Sequence, residues 1–159
     1  FGISHEPALG EIDFRNIADD GSGSIDALAG LSFCQGRNEP APIARLSWII
    51  FGGESGKDAR PVHPDWARAD RDQCAATGTA FLMKQWGEWL PGTYSESKHT
   101  ALLMPRDGEH IGITLSPPPH DENYVRDWGD GWISINVGKK GAGRFLDGRI
   151  HHEFPEALS

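Results

Sequence analysis

Residues 48–85 read WIIFGGESGKDARPVHPDWARADRDQCAATGTAFLMKQ, and the changes of texture along them decide the fold. With Leu46 in front, the apolar run predicts a strand over residues 46–51. Because that run is apolar almost throughout, the strand is expected to be covered on both faces. Gly52-Gly53 ends it, and from Val62 onward the period changes. Pro64 suits the first turn of a helix, where its absent N–H is not needed. Trp66, Ala69 and Gln73-Cys74 recur at helical spacing, Arg68, Arg71 and Asp72 face elsewhere, and Gly78 is a natural stop. Residues 80–84 return to strand. A strand, a loop, a helix, a glycine and a strand make a βαβ unit with parallel strands. The predicted class is therefore α/β, as a partial (β/α) barrel or a small parallel sheet.

Working outward, residues 1–4 predict a short buried strand with His5-Glu6-Pro7 as its exit, since Pro7 biases Glu6 away from helix. If that strand is also parallel, three exits share one edge: His5-Glu6, Gly52-Gly53-Glu54-Ser55, and Lys84-Gln85-Trp86. The carboxyl edge of a parallel sheet is where ligands sit. Residues 16–40, rich in Gly, Ser and Asp, predict a loop or insertion. Beyond Trp89, residues 89–99 (WLPGTYSESKH) predict a loop. Residues 101–105, 110–115 and 131–137 alternate as short antiparallel strands do, and residues 116–131 form a long polar connection. The basic, glycine-rich residues 138–149 predict a turn into a short helix. The whole predicts a single domain over 1–159, with a parallel α/β part over 1–89 and a C-terminal extension over 90–159 that adds antiparallel strands.

The 159 residues suffice for one domain with a sizeable core. No apolar run approaches the ~20 residues that cross a bilayer, and the first residues lack the order of a signal peptide, so a cytoplasmic protein without a membrane partner is expected. The net charge of −8 discourages indiscriminate binding to phosphate backbones or acidic lipid. Cys34 and Cys74 are too far apart for a C-x-x-C pair, which predicts two packed or idle thiols. The chain opens on Phe1 already in strand, which predicts a piece of something larger.

Several polar residues carry candidate chemistry. Gly52 and Gly53 permit a sharp turn and a close approach to a ligand. Glu54 is then expected to point off the sheet edge, with Arg60 near enough to pair with it or to hold an anion; the plainer alternative has Glu54 capping the helix or bonding amides of its own turn. His5, Glu6, Glu54, His63, Lys84 and Gln85 are expected to converge as a polar pocket with acid–base potential. Taken singly, His63 is a helix-start residue, Lys84 a surface cation and Gln85 a backbone bond maker. Trp86 and Trp89 form either an aromatic wall for a planar ligand or part of the core. No histidine pair has the i, i+4 spacing of a helical metal site, and the adjacent His151-His152 normally diverge, so no native metal is expected. Lys139, Lys140 and Arg144 lie among glycines in a composition that cradles phosphates. Their spacing is not that of a phosphate loop, and a solvated basic turn is the plainer description.

Three stretches taken together, HEPALG at 5–10, residues 48–89 through KQWGEW, and VGKKGAGRFLDGRIHHEFP at 137–155, resemble the C-terminal half of an uncharacterised phage and prophage protein family. The resemblance covers about two thirds of the chain and is poor over 90–128. Full-length members of that family resemble radical SAM enzymes. The resemblance implies an N-terminal half with a three-cysteine motif on a partial (β/α) barrel, which would bind an iron–sulfur cluster and S-adenosylmethionine. This chain contains no such motif, so no cofactor is expected in it alone. By the same resemblance, Glu6, Gly52, Gly53, Glu54, Ser55, Arg60, Lys84, Gln85 and Trp86 match family motif positions at the carboxyl edge, with no established roles.

Three functions are consistent with these observations. The first is the substrate-side half of a radical-SAM-like barrel, inactive alone, with Glu54, Lys84 and Glu6 in catalytic positions and Gly52, Gly53, Ser55, Arg60, Gln85 and Trp86 contacting a substrate or cofactor. The second is a non-catalytic module whose basic stretch, Lys139, Lys140 and Arg144, recognises a phosphorylated partner or nucleic acid. The third is a metal-independent enzyme using Glu54 or Glu6 as a base. A half-barrel leaves an apolar face and sheet edges bare, so the chain is expected to pair with a second copy or its missing half, or to cover itself with its C-terminal strands.

Overall fold

A computed structural model describes residues 1–19, 23–96, 100–106, 109–115 and 124–155. Its elements in chain order are β1 (Gly2–His5), β2 (Ile17–Ala18), β3 (Gly23–Asp26), β4 (Leu31–Cys34), β5 (Ala41–Pro42), β6 (Trp48–Gly52), α1 (Pro64–Thr77), β7 (Ala80–Gln85), β8 (Trp89–Tyr94), β9 (Thr100–Arg106), β10 (Glu109–Thr114), β11 (Val125–Asp127), β12 (Trp132–Asn136), α2 (Gly138–Ala142), β13 (Phe145–Leu146) and β14 (Arg149–Ile150). They form a mixed α/β structure with a three-stranded parallel sheet in the order β1-β6-β7 and a five-stranded antiparallel sheet in the order β10-β9-β8-β12-β11. Of the two arrangements expected, the small parallel sheet is the one present. The three strands do not close into a barrel among the described residues.

The β6–α1–β7 unit follows the sequence closely. Pro64 opens α1, the His63 ring accepts the Asp65 N–H at 3.2 Å as its cap, and Gly78 ends it at φ 66° with its N–H on the Cys74 carbonyl. The buried stripe of α1 differs from the one expected: it is Ala67, Asp70 and Cys74, with Ala69 only half-buried. A charged residue takes a core position there because it finds a partner in the sheet, His5 of β1 at 2.8 Å.

Register puts His5, Phe51 and Met83 side by side, and Ile3, Ile49 and Phe81 beside one another. These rows bury against the core, where each large apolar side chain contributes about 1.5–3 kcal/mol. The intervening Ser4, Trp48, Ile50 and Leu82 are half-buried or exposed, so β6 is covered fully on one face rather than both. The outer edge of β7 is covered by the chain itself: His152 bridges Leu82 antiparallel, the Met83 N–H donates to the His151 carbonyl at 2.9 Å, and the Glu153 N–H donates to that of Phe81 at 3.1 Å. The outer edge of β1 pairs with no described strand.

Elsewhere the structure corrects the expectations. Residues 16–40 are not a loop; with residues 41–42 they supply a small antiparallel sheet in the order β2-β3-β4-β5. Strands of two to four residues, mostly half-exposed, show no alternation to read. The predicted loop at 89–99 instead begins with β8, in the middle of its sheet. Pro91 is tolerated because it pairs with Ser134 of β12 just beyond the end of the ladder to β9, which starts at Gly92. The antiparallel strands over 101–105, 110–115 and 131–137 and the short helix in 138–149 are present. Residues 116–123 of the polar connection lie outside the described residues, and β11 forms within the rest. An Asp147-Gly148 turn joins β13 to β14, and Asp147 fastens this hairpin to α1 through Arg68 and Arg71 at 2.6 Å each. No described helix is long and apolar enough to cross a membrane.

Candidate functional site

The three parallel strands deliver their carboxyl ends to one rim. The Ala8 N–H bonds the Gly52 carbonyl at 2.9 Å and folds the exit of β1 across the end of β6. Neither Gly52 nor Gly53 has a positive φ. A Cβ on Gly52 would lie 2.9 Å from the Glu6 carboxylate, and one on Gly53 would lie 2.1 Å from the Trp86 carbonyl. The close approach expected of a ligand is thus made by the chain's own Glu6 and Trp86.

At the rim, Lys84 Nζ donates to Glu6 Oε2 at 2.7 Å. Gln85 Nε2 lies 3.3 Å from Glu6 Oε1, 2.9 Å from Ser55 Oγ and 3.4 Å from the Gly53 carbonyl. Glu6, Ser55, Lys84 and Gln85, from all three strand ends, therefore form one hydrogen-bonded set. The Lys84 side chain is half exposed, so its charge remains open to solvent on one side.

Glu54 stands next to this set in its own clamp. Arg60 donates to it from Nε at 2.9 Å, from Nη2 at 3.1 Å, and from its backbone N–H at 2.8 Å. The side-chain bonds from Arg60, then the backbone bond, hold the carboxyl down at about 2. Glu54 is therefore a fixed anion and a poor general base near neutrality. Both sequence expectations for it are present together, the Arg60 pair and the amide bond within its own turn.

The remaining candidates are not at the rim. His5 is buried against Asp70, Phe14 and Phe51, and His63 caps α1. Trp86 is fully buried, donates its indole N–H to the Phe145 carbonyl at 2.8 Å and packs on Phe51, so its ring belongs to the core. Trp89 is buried too, with its N–H on the Ala59 carbonyl. Lys139, Lys140 and Arg144 are exposed on or just after α2. Their segment is tied to the rim through Glu88, whose Oε2 accepts the Lys139 N–H at 2.9 Å while Oε1 accepts that of Gly56 at 3.0 Å, and through the Gly143 carbonyl, which accepts the Trp86 N–H at 3.0 Å. Glu88 had no signal in the sequence beyond being an acid in a turn.

A second constellation was not legible at all. His63 Nε2 lies 2.8 Å from Asp130 Oδ2, 67 residues away, and the ligand-capable atoms of His63, Asp65 and Asp130 lie within 4.8 Å of one another. A metal would need a free imidazole lone pair. The Nδ1 lone pair accepts the Asp65 N–H, which puts the ring proton on Nε2, facing Asp130. The set reads as a helix cap joined to an imidazole–carboxylate hydrogen bond. Asp130 is held below its ordinary range, first by the Trp132 backbone N–H and, after an opposing desolvation effect, by His63.

The cysteines do not fit an iron–sulfur cluster. Cys34 is exposed on β4, whereas Cys74 is buried in α1, where burial pushes its thiol up to about 12. Cluster ligation needs several thiolates converging on one point.

A family model described as a protein of unknown function (DUF5131) matches residues 2–155 of the chain. No curated protein and no solved structure matches it.

Proposed function

Since the chain belongs to the family of proteins of unknown function described as DUF5131, a membership that brings no chemistry with it, we propose that it is the ligand-side half of a larger (β/α) assembly, with the carboxyl rim of β1, β6 and β7 as its binding edge. The observation that carries this reading is the convergence of the three strand ends in the Glu6–Lys84–Gln85–Ser55 set. The open outer edge of β1 and the half-exposed face bearing Ser4, Trp48, Ile50 and Leu82 support it, since a further strand would pair with the first and the lumen of a completed barrel would cover the second. In this reading Lys84 holds an anionic group of the ligand, Glu6 orients Lys84, and the Glu54–Arg60 clamp fixes the loop after β6.

The resemblance to radical-SAM-like phage proteins extends the proposal: the other half would bind an iron–sulfur cluster and S-adenosylmethionine, which supply radical chemistry when bound. This chain contributes no ligand to the cluster. Its own residues would bind and orient the substrate.

The test is anaerobic purification of the complete gene product with iron and sulfide, alongside the 159-residue chain. A visible cluster spectrum in the complete product is expected, and a colourless protein overturns the radical SAM kinship. Hydrogen exchange at Gly2 and Ser4, whose N–H groups alternate away from β6 toward the outer edge of β1, tests the assembly separately. Slower exchange in the complete product is expected, and equal exchange in both samples overturns docking at the β1 edge.

A further inference from the structure

Beside the rim, Leu9, Arg60, Pro61, Trp66, Arg126 and Trp128 line a cavity of about 350 Å³. Trp66 and Trp128 meet edge to face, with centroids 5.6 Å apart and planes at 70°, so the two indoles form adjoining walls. His63 packs against both, at 5.0 Å from Trp128 and 6.1 Å from Trp66, and its bonds to Asp65 and Asp130 hold it in place. The walls are thus fixed before any ligand arrives, while both indoles stay partly exposed.

The charge on this cavity is unbalanced. Arg126 is exposed, its guanidinium lies 5.2 Å from the Trp128 ring centroid, and it makes no ion pair with any described residue. Arg60 engages Glu54 through Nε and Nη2, and its Nη1 bonds no other described residue. Asp130 is already engaged, with Oδ2 on His63 and Oδ1 on the Trp132 N–H. In a chain of net charge −8, an unpaired arginine stacked on an indole at a cavity mouth is a local reversal of sign.

We propose that this cavity binds a flat aromatic ring carrying an anionic group, the chemistry of a nucleoside monophosphate, with the ring against Trp66 and Trp128 and the phosphate on Arg126. Indole faces stack on any base, and a guanidinium fork matches two phosphate oxygens. The volume stands at the small end of ligand cavities, which suits a single nucleotide. That nucleotide is either free or one unit of a single-stranded nucleic acid. The inference goes beyond the half-barrel reading, because the cavity is complete within this chain and needs no second half and no cluster.

The experiment is tryptophan fluorescence and calorimetric titration of the 159-residue chain with AMP, GMP, inorganic phosphate and a short single-stranded oligonucleotide. Saturable binding of a mononucleotide with quenching is expected. Arg126→Ala should weaken it about tenfold and Arg126→Lys less, because the lysine keeps the charge and loses the fork. Trp128→Leu should remove the stacking contribution, with circular dichroism checking that each variant is folded. A mononucleotide that binds as tightly as the oligonucleotide supports a free nucleotide, and a tighter oligonucleotide supports a single strand. Absence of saturable binding by any nucleotide, inorganic phosphate binding as tightly as AMP and GMP, or unchanged affinity in folded Arg126→Ala overturns the proposal.

Discussion

His5 Nδ1 lies 2.8 Å from Asp70 Oδ2, joining the first parallel strand to the buried face of α1, and the other oxygen, Oδ1, has no hydrogen-bond partner among the described residues. Burial pushes the Asp70 carboxyl above its ordinary range, and the bond to His5 offsets only part of that shift. A carboxyl raised in the folded state favours folding while protonated, so its contribution is present below the ordinary carboxylate value and is lost as pH rises through the folded value. Asp70→Asn keeps the shape and a hydrogen bond without the desolvated charge. It should stay within about 1 kcal/mol of the parent at neutral pH and gain on it as pH rises from acid. Asp70→Ala strands the buried ring and should cost about 3 kcal/mol. Urea denaturation of both variants across that range checks the order; equal losses would place the stabilisation in packing alone.

The clamp on Glu54 predicts a titration that depends on one neighbour. Arg60 holds that carboxyl at about 2, so Glu54 stays charged through the whole ordinary carboxylate range. A depressed carboxyl supports the fold above its unfolded value and loses that support as pH falls through the folded one, here near 2. In Arg60→Ala, carbon-detected NMR of the Glu54 carboxyl should show its midpoint back in the ordinary range. A midpoint still near 2 would mean that the backbone amide alone sets it, and that Arg60 is free to hold a ligand anion instead.

The parallel unit was legible because each part carries its own local signal: Pro64 opens the helix, Gly78 closes it, and apolar runs flank both. The rim was legible at one remove. Glu6 and Lys84 are 78 residues apart, yet parallel register sets His5 beside Phe51 and Phe51 beside Met83, so the next residues of β1 and β7 must come close. The pairs that escaped have no such bookkeeping. His63–Asp130 and Trp66–Trp128 join α1 to the segment between β11 and β12, and no periodicity measures that distance. Asp70 carries no local signal for a core position, and only its partner in β1 explains its place there.

Gly53 and Gly56 separate crowding from backbone strain. Gly53 has ordinary φ, but an added Cβ would stand 2.1 Å from the Trp86 carbonyl, so Gly53→Ala has to push β6 and β7 apart where the rim is assembled. It should cost about 3 kcal/mol or more. Gly56 has φ 112° and open space around its Cβ position, so Gly56→Ala carries strain alone, about 1–2 kcal/mol. Thermal and urea denaturation should rank them in that order, and Gly53→Ala should also disturb the side-chain resonances of Gln85. The reverse order would show that the β6–β7 contact at the rim is loose.

His151 offers the last test, at the covered edge of β7. Its carbonyl accepts the Met83 N–H, while the residue is 3% exposed and its ring packs edge-on against Phe81 at 5.6 Å and places neither nitrogen in a hydrogen bond with a described residue. Burial first, then the charges of Arg149 and Arg71, push the imidazole below its ordinary value, and an approach of the Leu146 backbone works weakly the other way. A histidine depressed in the folded state supports folding above its unfolded value, and that support is lost as pH falls from there through the folded value. The chain should therefore weaken on acidification through the ordinary histidine range. His151→Leu should flatten that slope and remain within about 1 kcal/mol of the parent near pH 8, because it removes two unsatisfied buried nitrogens while keeping the apolar contact with Phe81. Denaturation midpoints at several pH values decide it: an unchanged slope in His151→Leu would mean that the C-terminal segment senses pH through other groups, and that the seal on β7 does not depend on a neutral ring.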